Sequence, residues 1–348
     1  MIRCNPVVCC VSRKYQCQNL ASPKSHLKQP LTTIVSAAVS AFEHRRSFIE
    51  SELLRLGQVF FLEVVVYAVM SNHVHIVLFI DQQAENDADA LDTVRRWHQI
   101  HQGNTLSAKF LNQEPIEPHE CERLDTLIDL WRVRLSSISW YMPVLNEKVA
   151  RMANAEDEVT GRFWEGRFKC QALLDEQALL TCMAYVDLNP VRAALAATPE
   201  QSKHTSIQNR IRHRRQNAGT NSTDHEEHQH QPSDLHPFVG DFSQTVPKGI
   251  IFNLIDYLEL VDWTGRQIRE GKAGSISADA KPILQRLSIS PEHWVYLCTN
   301  FESRFKGLVG SIHSLEHACK TFKRNAGPTL QLACRFFPDG RLYSWCST

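Results

Sequence analysis

Hydrophobic positions recur along this chain in two rhythms, and each predicts a different element. Ile49, Leu53 and Leu56 fall at i, i+4 and i+7 with Gly57 behind them as a stop, so a short amphipathic helix is expected there. Between Val59 and Met70 the chain is rich in β-branched and aromatic residues, Ser71 and Asn72 supply turn chemistry, and the apolar run resumes from His73 to Ile80. These two runs predict a hairpin in the core of a sheet. Leu127, Trp131, Leu135, Ile138, Met142, Leu145, Val149 and Met152 follow at spacings of four and three, which predicts one long amphipathic helix kinked at Pro143. Asp175 is placed to cap a further helix, EQALLTCMAYVDLN, that should end near Pro190. Helices are also expected from Leu254 to Glu270 and from Pro291 to Leu308.

Both rhythms fail between Arg212 and Pro237, where His, Gln, Asn, Ser and Asp crowd out apolar residues. Such a stretch cannot bury enough surface to offset its ordering entropy. It predicts an amino-terminal domain over residues 1–210, a polar His-rich linker over 211–237 and a mainly helical carboxy-terminal domain over 238–348. His225, His228, His230 and His236 could bind a metal, but a solvated linker explains them more simply.

Composition narrows the class. With 43% hydrophobic and 22% charged residues, the chain fits an ordinary globular protein rather than a disordered or membrane one. Lys plus Arg and Asp plus Glu both number 38, so any nucleic-acid partner must be argued from local clusters. The 11 cysteines show no C-x-x-C spacing and predict reduced, mostly buried thiols in the cytoplasm. The amino terminus has no apolar core of signal-peptide type, and the most apolar stretch, Val59 to Ile80, is interrupted by Glu63, Asn72, His73 and His75, so no membrane span is expected.

Three places could carry chemistry. His73 and His75 sit at i and i+2 of an expected strand, hence on one face with Cα atoms about 6.6 Å apart, close enough to share a cation. Histidines satisfied by neighbouring carbonyls would look the same in sequence. Tyr185 lies on the helix that begins near Asp175, with Asn189 one turn on offering a carbonyl oxygen; a Tyr there is also an ordinary core residue. In the segment GRFWEGRFK, Arg162, Arg167 and Lys169 alternate with Trp164 and Phe168, a combination that can hold phosphates and stack on unpaired bases. Inward aromatics with solvated charges are the equal alternative. On the expected Leu254–Glu270 helix, Tyr257, Trp263, Arg266 and Arg269 could touch DNA, but Leu254, Leu258 and Val261 demand a buried face.

These signals occur in a recognisable order. The run YAVMSNHVHIVL from Tyr67 resembles the histidine-hydrophobe-histidine (HUH) motif of single-tyrosine transposases. GRFWEGRFK from Gly161, ALLDEQALL from Ala172 and AYVDLNPVRA from Ala184 resemble the remaining signatures of the REP-associated tyrosine transposase branch. The likeness spans roughly His44 to Arg210, and Phe238 to Phe337 looks like the additional region of longer members.

The resemblance implies an α+β, ferredoxin-like HUH nuclease domain with an antiparallel sheet and packed helices, often a homodimer, that cuts and rejoins single-stranded DNA at hairpins. By position, His73 and His75 match the metal pair, Tyr185 the nucleophile and Asn189 the residue that completes the metal site. Arg162, Trp164, Arg167, Phe168, Lys169 and Arg192 would contact DNA. The chain departs from the pattern at Asn5–Cys10, where relatives carry a Tyr-His pair; Pro6 cannot donate to a ladder, so the first strand should start later or lie at an edge.

The implied chemistry needs no nucleotide cofactor. Mg²⁺ or Mn²⁺ on two imidazoles and an amide oxygen would offset transition-state charge, and Tyr185 would form a 5′-phosphotyrosyl link that allows rejoining. The alternatives are a catalytically inactive protein that binds hairpin repeats, or a hydrolase whose nucleophile is a metal-bound water.

Overall fold

The structure is a computed structural model that describes residues 7–12, 43–217, 231–240, 248–270, 280–305, 307–322 and 327–337. In chain order its elements are β1 (Val7–Ser12), α1 (Glu43–Val59), β2 (Leu62–Val69), β3 (Val74–Ile80), α2 (Gln82–Asp87), α3 (Ala90–His98), α4 (Thr105–Leu111), α5 (Pro118–Leu135), α6 (Ile138–Glu156) and β4 (Lys169–Leu173). There follow α7 (Glu176–Asp187), α8 (Asn189–Arg192), α9 (Ser206–Asn217), α10 (Leu254–Glu270), α11 (Ala280–Arg286), α12 (Pro291–Arg304), β5 (Leu308–Val309), α13 (Ile312–Phe322) and α14 (Gly327–Phe336). The fold is α+β, and no helix among the described residues is long and apolar enough to cross a membrane. The chain divides into two compact units, one of residues 1–12, 64–79 and 168–348, the other of residues 13–63 and 80–167.

The first unit carries a five-stranded sheet in the order β2-β3-β1-β4-β5. β1 pairs antiparallel with β3, Val7 opposite Phe79, and antiparallel with β4, Val7 opposite Leu173, while β4 and β5 run parallel. β1 is therefore central, not at an edge, and it starts at Val7, after the proline in the sequence. The expected hairpin is present as β2 and β3, closed by Met70 N–H on the His73 carbonyl at 2.9 Å. From Val64 to Val69 and from Val74 to Leu78 every residue is buried, as the near-continuous apolar sequence requires of strands covered on both faces. His73 lies in the turn just before β3 rather than inside the strand.

The carboxy-terminal part is not a separate domain. β5 extends the sheet beside β4, Gln171 Nε2 donates to the Phe305 carbonyl at 2.5 Å, and Gln177 Nε2 donates to the Leu287 carbonyl at 2.7 Å. Leu179 and Met183 on α7 share one buried core with Trp294, Leu297 and Phe301 on α12. The boundary expected from the polar stretch fails because apolar surface on β4 and α7 is covered from beyond it. α9 runs on to Asn217, and Gln231, Leu235 and His236 are buried, with the His236 ring stacked on Phe79 at 4.5 Å. His225, His228 and His230 lie outside the described residues.

The second unit is helical. α1 buries Ile49, Leu53 and Leu56 as expected but runs through Gly57 to Val59. The single long helix predicted after Leu127 is two, α5 and α6, because Ser137 is extended (φ −106°, ψ 120°). The Leu135 carbonyl then accepts from Phe61 N–H at 3.0 Å, so the break leaves no orphan there. Pro143 sits inside α6 without ending it. Tyr141 is wholly buried and donates to the Leu53 carbonyl at 2.7 Å, and Glu52 accepts from Arg55 and Lys148.

The expectation of mostly buried thiols needs correction: among the described residues Cys182 and Cys298 are buried, but Cys121, Cys170 and Cys334 are exposed.

Candidate functional site

α7 begins where expected. Asp175 Oδ1 accepts from Ala178 N–H at 3.0 Å and Asp175 Oδ2 from Ser311 N–H at 2.6 Å, so one carboxylate caps the helix and ties down the later chain. Every residue from Gln177 to Asp187 is buried, and α7 is a core helix. It stops at Leu188 before Pro190, and the short α8 restarts at Asn189. Tyr185 and Asn189 are thereby presented beside the β3 entrance.

The imidazoles of His73 and His75 lie edge to face with ring centroids 4.8 Å apart, and the Tyr185 ring lies 5.7 Å from that of His75. Asn189 Nδ2 approaches His73 Nε2 at 3.3 Å. His73 Nδ1 and Asn72 Oδ1 are 2.7 Å apart; an amide oxygen only accepts, so Nδ1 carries a proton and donates it to Asn72. His75 is 1% exposed, and its Nδ1 has no hydrogen-bond partner among the described residues. Burial, then the neighbouring His73 and Arg192 charges, holds His75 well below the usual histidine range, so it is neutral.

Arg192, read in the sequence as a DNA contact, is turned into this cluster. Its guanidinium carbon stands 3.8 Å from the Tyr185 ring centre, Nη2 donates to Asn189 Oδ1 at 2.9 Å and Nη1 to the Thr299 carbonyl at 2.8 Å. The Tyr185 hydroxyl donates to Glu302 Oε2 at 3.2 Å. Burial pushes the Tyr185 phenol up to about 12; Arg192 pulls it down and Glu302 raises it.

The GRFWEGRFK segment divides. Arg162, Arg167 and Lys169 are exposed, but Phe163 is buried and the half-buried Trp164 donates its indole N–H to the Asn146 carbonyl at 2.8 Å. Phe168 is half-buried. On α10, Tyr257 and Trp263 are buried, so the helix packs through them, whereas Arg266 and Arg269 are exposed.

Two acidic residues were missed from sequence. Glu302 has no motif around it and is found only through its contact with Tyr185. Asp187 stands inside AYVDLNPVRA but drew no role. Fully buried, it accepts from Ser206 Oγ at 2.7 Å, Ile207 N–H at 3.1 Å and Tyr257 Oη at 2.6 Å. Burial raises its carboxyl to about 6, against the lowering pull of these donors and of Arg210. Arg210, itself buried, donates to the Val65 and His236 carbonyls at 3.0 and 2.8 Å.

The imidazole pair suits a divalent cation, because His75 is neutral and keeps an unpartnered buried nitrogen. Asn189 does not complete the set in this orientation: its oxygen is held by Arg192 and its NH₂ faces His73. Among the described residues no group of three or more His, Cys, Asp or Glu side chains is arranged to hold a metal ion. A surface hollow of about 630 Å³ lies elsewhere, between His98 and Ala108.

No protein-family model and no curated protein matches the chain. Among solved structures it is similar to a REP-associated tyrosine transposase bound to a REP hairpin, over 73% of this chain and 96% of that one, at 8% identity and a TM-score of 0.34, a distant structural likeness.

Proposed function

We propose that this chain is a metal-dependent nuclease that nicks and rejoins single-stranded, hairpin-forming DNA through a 5′-phosphotyrosyl link at Tyr185. The observation that carries the reading is convergence: two imidazoles and, more than a hundred residues further along the sequence, a phenol and a carboxamide gather within one chain, with the Tyr185 and His75 rings 5.7 Å apart. They belong to the motifs that resemble REP-associated tyrosine transposases, in the same order. The strand order β4-β1-β3-β2, with β1 antiparallel to both neighbours, supports a ferredoxin-like core that β5 extends.

A divalent cation, Mg²⁺ or Mn²⁺, held by His73 and His75 with Asn189 turned to offer its oxygen, would polarise a non-bridging oxygen of the scissile phosphate. Tyr185 Oη attacks phosphorus, and the covalent link retains the bond energy for rejoining without a nucleotide cofactor. Exposed Arg162, Arg167 and Lys169 offer charge to the DNA backbone. Tyr185 lies beside His75 of the same chain, so the reaction needs no homodimer. Such an enzyme works in the cytoplasm, on the nucleoid.

The second reading, a hairpin-binding protein that no longer cuts, draws on the Asn189 orientation, which presents an NH₂ group where a metal ligand would present oxygen. A gel shift on a hairpin-containing single strand beside a cleavage assay with Mn²⁺ separates the two. A covalent adduct lost in Tyr185→Phe and in His75→Ala is the expected outcome; binding without an adduct supports the second reading, and cleavage by Tyr185→Phe makes water the nucleophile.

A further inference from the structure

The nicking reaction leaves one proton to place. A phenol attacks poorly unless its proton departs as the new bond forms, and Tyr185 is buried, with little bulk water beside it to take that proton. The groups around the ring narrow the choice. Arg192 has no lone pair to offer, Asn189 is an amide, and the lone pairs of His73 and His75 are assigned above to the cation. The hydroxyl itself touches one carboxylate.

We propose that Glu302, on the carboxy-terminal helix α12, is the general base that takes the Tyr185 proton during attack. The inference rests on the nicking function proposed above. The separation from Tyr185 Oη to Glu302 Oε2, 3.2 Å, is within reach for direct transfer. α12 is held firmly: Trp294, Leu297, Cys298 and Phe301 are buried, the Phe301 ring lies 5.9 Å from that of Tyr185, and the Thr299 carbonyl accepts from Arg192. The other Glu302 oxygen lies 4.0 Å from Lys169 Nζ, which leaves Oε2 for the phenol. The Glu302 side chain is 33% exposed, so the proton has a path to solvent.

The step balances. The Oη–P bond forms and the P–O3′ bond breaks; the phenol proton passes to Glu302 Oε2, and the 3′-oxygen leaves with the electron pair of the broken bond and takes a proton from solvent. On rejoining, the 3′-hydroxyl loses its proton to solvent and attacks phosphorus, the P–O3′ bond forms and the P–Oη bond breaks, and the departing Tyr185 oxygen regains its proton from Glu302. The carboxy-terminal segment thus supplies a catalytic residue as well as core.

The test measures single-turnover adduct formation by the full chain on a labelled hairpin-containing single strand with Mn²⁺. Glu302→Gln keeps the shape but cannot take a proton, and should slow the adduct about 100-fold with hairpin binding and circular dichroism unchanged. Glu302→Ala should be as slow and should recover at least tenfold with added formate, a response that a merely structural glutamate would not give. Wild-type rates in Glu302→Gln, or a slow Glu302→Ala that formate does not rescue, would overturn the inference and leave the nicking reading standing. No adduct from the wild-type chain, or an adduct that survives Tyr185→Phe, would remove the nicking reading and this inference with it.

Discussion

Tyr185 and Asp187 stand two residues apart on α7, and the two polar clusters they anchor are built to opposite ends. Asp187 faces donors on both oxygens, from Ser206, Ile207 and Tyr257, with Arg210 supplying charge; it ties α9 and α10 to α7. Around Tyr185 the chemistry is left open: His75 Nδ1 and Arg192 Nε lack partners among the described residues, and the neutral His75 ring lies edge to face with the phenol. A buried polar group without a partner costs about 1–3 kcal/mol, whereas a satisfied carboxylate binds elements together. The first pattern suits a site that awaits a ligand, the second a clasp.

The contrast can be broken in order of effect. Tyr185→Phe should abolish the covalent adduct, a loss of at least about 1,000-fold, yet leave the melting temperature near wild type, since the hydroxyl's bond to Glu302 is a long one at 3.2 Å; calorimetry beside the adduct assay checks both halves. Asp187→Ala should do the reverse, stranding Arg210 and costing about 3–5 kcal/mol, read as a shift in the urea midpoint. His75→Leu removes the unpartnered nitrogen and should be neutral or stabilising by about 1 kcal/mol while the adduct is lost; marked destabilisation would mean the ring is structural.

A buried carboxylate held by two cations at the surface gives the smallest effect. Burial alone would raise the Glu52 carboxyl, but Arg55 and Lys148 bring it below the ordinary carboxylate value. A lowered folded value means that its stabilisation is complete above the unfolded value and is lost as pH falls through the folded one. Glu52→Gln should therefore cost less than about 1 kcal/mol at pH 7 and nothing in strong acid, by denaturation at each pH.

Much of the framework was legible because local rules suffice for it. The β2–β3 hairpin, the Asp175 cap and the bounds of α10 follow from apolar runs, a capping side chain and periodicity. The break at Ser136–Ser137 was not, because periodicity continues across it and the partner that makes it tolerable, Phe61, is distant in sequence. The polar stretch after Arg212 read as a domain boundary because composition does not reveal that β5 and α12 cover β4 and α7. For the site, the His73, His75, Tyr185 and Asn189 types were visible in their motifs, whereas the inward turn of Arg192 and the approach of Glu302 are tertiary facts with no local signal.

The most direct measurement is to incubate the chain with a hairpin-containing single-stranded oligonucleotide and Mn²⁺, digest the product, and map any nucleotide-linked peptide by mass spectrometry. The account predicts a phosphodiester-linked nucleotide on Tyr185, absent when the metal is chelated. Cleavage without a protein-linked product, or a link to any other side chain, would contradict it.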